Sequence, residues 1–294
     1  MRVTNRMAFD LAQSQMMAAR NRAVDAQQQV TTGLRVVHPG DDPAAAGVMV
    51  TQGAAIQRLD TIDKTTSSAS GEVQVADGAM QSVATLLQRA QQLAVQLGND
   101  TYSASDRAGG AAEINGISSQ IAQLMNTQVA GRYIFGGNVD NAPPFDAAGN
   151  YSGDSAVRQI EVAPGLLQNA SVRADQTMKG VGGGVDVFAT LSTLSTALAA
   201  NDGPGIRAAV GGVSSSTDQV AAALTTTGAM LSAFDSAQQI GSVAKDSAQK
   251  VLSAQSEVDI FEATSNLALA QQSLQATLAV TAQSFSVSLL DYLK

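Results

Sequence analysis

Proline inside a helix removes a hydrogen bond and clashes with the preceding turn, at a cost of ~3 kcal/mol. This chain of 294 residues has six prolines: Pro39, Pro43, Pro143, Pro144, Pro164 and Pro204. None falls between Pro43 and Pro143, and none follows Pro204. Long helices are therefore expected in two proline-free arms, and the apolar spacing agrees. Val73, Ala76, Met80, Val83, Leu87, Ala90, Ala94 and Leu97 alternate steps of three and four, a seam of coiled-coil type. The seam stops at the turn-rich stretch LGNDTYSASD. A second seam follows at Ile114, Ile117, Ile121 and Leu124, and a third at Val210, Val213, Val220, Leu224, Leu231 and Phe234.

The two chain ends repeat the pattern in weaker form. Phe9, Met16, Ala23 and Val30 are each seven residues apart. So are Ile260, Leu267 and Leu274, and again Leu278 and Phe285. Both ends read as amphipathic helices whose stripe is diluted by alanine. Such a helix is marginal alone in water and needs a partner to cover the stripe. The simplest partner for one end is the other.

The middle of the chain differs. YIFGGNVDNAPPFDAAGNYSGD is rich in aromatics, glycine, proline and asparagine, VRQIEV and ASVRA read as short strands, and MKGVGGGVDVF closes the region. The expected fold is mainly α: long antiparallel helices, with a coiled coil drawn from both chain ends and a small β-rich domain inserted in the middle. The expected division is 1–40 with 258–294 as a terminal coiled coil, disordered and protease-sensitive in the free subunit. Residues 41–132 with 188–257 would form a helical bundle, and 133–187 the β-rich insert.

Chemistry has few footholds. There is no cysteine, which excludes disulfides, thiolate nucleophiles and cysteine-ligated metals. The net charge of −8 and the lack of any basic run argue against nucleic acid and anionic membrane surfaces as partners. No stretch approaches the ~18 apolar residues of a membrane span. The start, MRVTNRMAFDLAQSQMM, has no apolar core of a secretory signal, so no cleaved signal is expected.

The densest local signal is GLRVVHPGDDPAAAGVM, which holds the only histidine, His38. A metal site on His38, Asp41 and Asp42 would need partners that nothing else supplies. A phosphate loop would end in Gly-Lys-Ser/Thr, which is missing. A bend between two helices accounts for each residue. Asp42 caps a helix that Pro43 opens, and Gly33 and Gly40, with Pro39 and Asp41, reverse the chain. GVGGGVD lacks the spacing of a dinucleotide loop, His38 has no GxSxG partner, and no pair of acids stands out for hydrolysis. No enzyme activity and no cofactor are expected. A helical signalling or adhesive stalk would need an anchor or a sensory module, and none is visible.

Several stretches, taken in order, resemble the bacterial flagellin family. TTGLRVVHPGDDPAAAG is similar to its N-terminal bend, LLQRAQQLAVQLGNDTYSASDRAGGAAEI to its long helix and turn, and SLLDYLK to its C-terminal end. MRVTNRM, GRYIFGGNVDNAPPF with YSGD, GGGVDVF and SEVDIFEATSNLALAQQSLQATLAV resemble members found where hook meets filament more than the filament subunit. His38-Pro39-Gly40 departs from the serine-rich turn usual there.

The resemblance implies a structural flagellar subunit joining hook to filament, with the filament subunit itself as the alternative. It implies export through the flagellar type III apparatus to the cell exterior. Its implied partners are other copies of itself, neighbouring hook-associated and filament-side subunits, and a cytoplasmic export chaperone on the C-terminal helix. The assembly residues expected are Phe9, Met16, Ala23, Val30, Ile260, Leu267, Leu274, Leu278 and Phe285, supported by the arm seam of Val73, Met80, Val83, Leu87 and Leu97.

Overall fold

The computed structural model describes residues 2–292, with side chains over 6–7 and 9–283. Seven helices and two small hairpins follow one another: α1 (Arg2–Thr32), α2 (Pro43–Leu97), α3 (Ala104–Leu124), β1 (Gln128–Val129), β2 (Arg132–Tyr133), β3 (Gln159–Ala163), β4 (Leu166–Asn169), α4 (Ala174–Lys179), α5 (Val187–Ala199), α6 (Gly203–Ser256) and α7 (Ile260–Tyr292). The mainly helical fold with a small β region in its middle is the class expected. Pro43 and Pro204 open α2 and α6, where a missing N–H is harmless.

The chain forms two compact units, Met1–Gln57 with Ala244–Lys294, and Arg58–Val243. These limits differ from those expected at residues 40 and 258, because the first turns of α2 and the last turns of α6 belong with α1 and α7. The segment 133–187 is not a unit by itself. Its Phe135, Phe145, Val172 and Met178 lie in one core with Leu87, Ile114, Leu194 and Val213. A segment with only short hairpins of its own buries its large apolar groups by packing them on the helices.

Within the second unit every arm-seam residue, Val73, Met80, Val83, Leu87 and Leu97, is buried. Ile114, Ile117 and Ile121 on α3 face the same core, and α3 packs on α5. α3 also approaches the end of α2 closely: a Cβ on Gly110 would fall 2.1 Å from Leu97 Cδ1. Ser103 and Asp106 cap α3 reciprocally, which stops the preceding turn. Arg107, one residue on, is buried and fastens two turns. Its Nε donates to Leu97 O at 2.9 Å, one terminal nitrogen to Asn99 O at 3.1 Å, and the other to Asn201 Oδ1 at 2.7 Å. The end of α2 is thereby tied to the α5–α6 turn, where Asn201 takes a left-handed φ of 54°.

The hairpins are short. Ala130 and Gly131 both have positive φ, which gives the two-residue turn between β1 and β2. The β3–β4 hairpin turns at Gly165 and contains a bulge between Glu161 and Ala163. The strand expected at ASVRA does not form. Ala170 N donates to Arg158 O at 2.8 Å and the Ser171 hydroxyl accepts from Arg158 N at 2.9 Å, after which α4 begins. β4 is instead LLQN, whose apolar residues do not alternate with polar ones. Glu72 on α2 receives both Arg132 and Arg158, pinning the two hairpins to the bundle.

Leu87→Ala should destabilise the second unit by ~2–5 kcal/mol. Thr66 is buried on α2 and its hydroxyl finds no partner among the described residues. Thr66→Val should therefore raise stability by roughly 1 kcal/mol. Denaturant unfolding of both variants checks the pair, and a destabilised Thr66→Val would contradict the assigned environment.

Candidate assembly site

The remaining interest lies in the first unit, where the terminal helices meet two bends. At the first bend, Gly33 takes φ 70°, a left-handed value that ends α1. Asp42 Oδ1 accepts from Ala45 N at 3.0 Å, the N-cap of α2. Asp41 accepts from the N–H groups of Val37 and His38 at 3.1 and 2.8 Å, closing the turn that Pro39 and Gly40 make. Both carboxyls are held below the ordinary aspartate range. The cause at Asp41 is first the His38 N–H, and at Asp42 first the Ala45 N–H and then Arg35.

The second bend, at 257–259, is strapped to the first. Leu34 and Glu257 form an antiparallel bridge. Arg35 N donates to Ser256 O at 2.7 Å, and Val258 N to Gly33 O at 3.0 Å. The Arg35 guanidinium joins the bends through its side chain as well, donating to Asp42 at 2.9 Å and to Gln255 O at 2.9 Å. His38 does none of this; its side chain is 68% exposed. Asp41 and Asp42 are spent on backbone donors and Arg35, which is the chemistry of a bend rather than of a ligand set.

The strap sets the end of α1 beside the start of α7, and the two helices pack together antiparallel. Their seam is built of small side chains. On α1 the less exposed apolar positions are Ala12, Met16, Ala19, Ala23, Ala26 and Val30. On α7 the less exposed positions are Ala263, Leu267, Ala270, Leu274, Thr277 and Thr281. Steps of three and four separate them, as in a coiled coil.

The positions expected from the sequence fall on both sides of this seam. Met16, Ala23, Val30, Leu267 and Leu274 lie in it, half-buried. Phe9, Ile260 and Leu278 are exposed, Ile260 by 65%. Leu278 follows the seam residue Thr277 and so faces about 100° away from it. The side chain of Phe285 lies outside those described. Seven-residue spacing passes over the intervening alanines, of which Ala19, Ala26 and Ala263 are the most buried residues of the pair. Spacing also gives no sign of Phe261, which is 87% exposed at the first turn of α7. Met7, Leu11, Met17, Val24, Leu269 and Val280 are exposed on these helices as well.

Because Asp41 and Asp42 titrate below their ordinary range when folded, their bonds stabilise the bends at neutral pH. That contribution is whole above the ordinary aspartate range and is lost as the pH falls through it toward the depressed folded values. Amide protection factors at residues 35–45, referred to the intrinsic exchange rate at each pH, should fall on acidification. Asp42→Asn, which keeps a cap but loses the Arg35 pair, should show a smaller acid-induced change. Equal acid responses in the two proteins would show that the pair does not hold the bend.

Residues 3–140 match the family model of the bacterial flagellin N-terminal helical region. Flagellar hook-associated protein 3 of Salmonella typhimurium is 34% identical over 167 residues, 55% of this chain and 53% of that protein. The chain thus matches about half the length of this relative. A flagellin of Clostridium tyrobutyricum is 31% identical over 107 residues, 36% of this chain and 28% of that protein. A solved structure from Vibrio parahaemolyticus, assigned as a flagellar hook-associated protein, has the same fold. Its TM-score is 0.68 at 19% identity, over 74% of this chain and 100% of that one. The resemblance to the bacterial flagellin family seen in the sequence is borne out.

Proposed function

We propose that this chain is a structural subunit of the bacterial flagellum that joins hook to filament, and that it assembles by packing its terminal helices against those of neighbouring copies. The observation that carries the reading is the exposed apolar surface of α1 and α7, with Phe261 and Ile260 at its head. Single exposed apolar residues are ordinary on any protein, but many of them on one thinly packed helix pair point to an interaction with neighbours. The 34% identity to a hook-associated protein 3, against 29% to a flagellin over a similar length, supports the junction over the filament itself.

On this reading the chain acts outside the cell, reaches its place through the flagellar export route, and performs no catalysis. Its partners are copies of itself, a neighbouring hook-associated protein below and filament-side subunits above. A cytoplasmic chaperone covers the C-terminal helix before export. No helix among the described residues is long and apolar enough to cross a membrane.

A strain lacking the chain should carry bare hooks and shed unpolymerised flagellin into the medium, seen by electron microscopy and by assay of the supernatant. Normal filaments in that strain would overturn the junction reading. Self-polymerisation of the purified chain into long filaments would favour the filament subunit. In the complemented strain Phe261→Asp should reduce filament number at least several-fold, while the isolated variant keeps the wild-type melting temperature of its second unit.

A further inference from the structure

Sulfur is unevenly placed in this chain. There is no cysteine and no tryptophan, so methionine thioethers are the side chains that peroxides and hypohalous acids attack first. In the second unit Met80, Met125 and Met178 are fully buried and Met230 is 7% exposed. α1 is the reverse: Met7 and Met17 are 69% and 54% exposed, and Met16 is half-buried. Met49, near the start of α2, is half-buried as well. An oxidant that spares the bundle therefore still reaches α1.

Met16 is also the largest apolar side chain of the α1 seam, where its companions are Ala12, Ala19, Ala23, Ala26 and Val30. In the reaction the sulfur lone pair attacks one peroxide oxygen and the O–O bond breaks. The departing hydroxide takes the proton from the transferred oxygen and leaves as water. The thioether is thereby oxidised to a sulfoxide, and the peroxide is reduced. A sulfoxide is a strong hydrogen-bond acceptor. An alanine seam offers it no donor, because mid-helix N–H groups are already spent within their own helices. Burying it there is unfavourable. Met17, the next residue, points ~100° further round the helix. Its sulfoxide forms without a burial cost and turns an exposed apolar group polar.

We infer that α1 is an oxidation site that gates assembly. Oxygen transfer from a peroxide to Met16 and Met17 of the free subunit weakens the α1–α7 seam, makes the exposed side of α1 polar, and prevents the terminal helices from joining those of neighbouring copies. The second unit, whose methionines are buried, stays folded throughout. Reductases specific for each sulfoxide epimer reverse the change. The effect on assembly rests on the reading proposed above; the pattern of oxidation does not.

Peptide mass mapping of the purified full-length chain after dilute hydrogen peroxide tests the pattern. Met7, Met16 and Met17 should gain oxygen at least several-fold faster than Met80, Met125 and Met178. Equal rates at all of them, or Met16 and Met17 as slow as Met80, would overturn the inference.

Glutamine, polar and of similar length, stands in for the sulfoxide in the second test. In a strain lacking the native chain, a full-length chain carrying Met16→Gln and Met17→Gln should lower filament number several-fold. Met16→Leu with Met17→Leu, which keeps the size and the apolar character, should leave it near the wild-type number. The glutamine variant should retain the wild-type melting temperature of its second unit. A fall in that temperature would contradict a change confined to the terminal helices and overturn the inference. Wild-type filament number with the glutamine pair would overturn the effect of oxidation while leaving the junction role standing. Equal loss with the leucine pair would show that shape rather than polarity decides there, and would overturn it too. Normal filaments with no copy of the chain present would overturn the junction role and the effect on assembly together, whereas the mapped oxidation pattern would stand.

Discussion

The thinness of the seam between α1 and α7 governs the rest of the molecule. Burial stabilises by about 0.8 kcal/mol per methylene, so an alanine in a seam contributes far less than the ~1.5–3 kcal/mol of a buried leucine or methionine. Four of the six seam positions on α1 are alanine. The second unit, in contrast, packs Met80, Leu87, Leu93, Leu97, Ile114 and Ile121 into one core. One polypeptide thus joins a well-filled bundle to a helix pair that gains little from its own contacts. The apolar groups that would enlarge that gain, Phe261 above all, face outward.

The bends make this arrangement usable. Arg35, Asp42 and the Leu34–Glu257 bridge bind the turn after α1 to the turn before α7. The two helices therefore begin and end at a fixed place even where their seam is weak. Such a pair can offer its exposed apolar side chains to a neighbour from a fixed place without needing a large core of its own. On the assembly proposed above, a pair that orders on contact binds with lower affinity per unit area, which would keep free subunits from associating early.

Much of the architecture was legible because it rests on local rules. Proline placement located the long helices, alternating steps of three and four located the core side of α2, and Asp42-Pro43 located a helix start. What was hidden depends on contacts distant in sequence. Arg107 fastens α2 to the α5–α6 turn across 94 residues, and only its place after a capping box hints at a role. The middle segment read as a separate β domain because its turns are conspicuous, yet its phenylalanines serve the helical core. ASVRA has strand-like residues but no strand to pair with once β4 has turned at Leu166. In the assembly site, a search for large side chains seven apart found Met16 and Leu267 and passed over Ala19, Ala26 and Ala263, since alanine on a helix carries no pattern of its own.

Hydrogen exchange measured on the free subunit and on the assembled flagellum tests the central claim most directly. Amides of α1 and α7 should exchange rapidly in the free chain, far faster than those of residues 73–97. On assembly they should slow by orders of magnitude, with little change in the second unit's core. Equal protection of the terminal helices in both states would show that their own seam is sufficient, and that neighbouring copies are not what completes them.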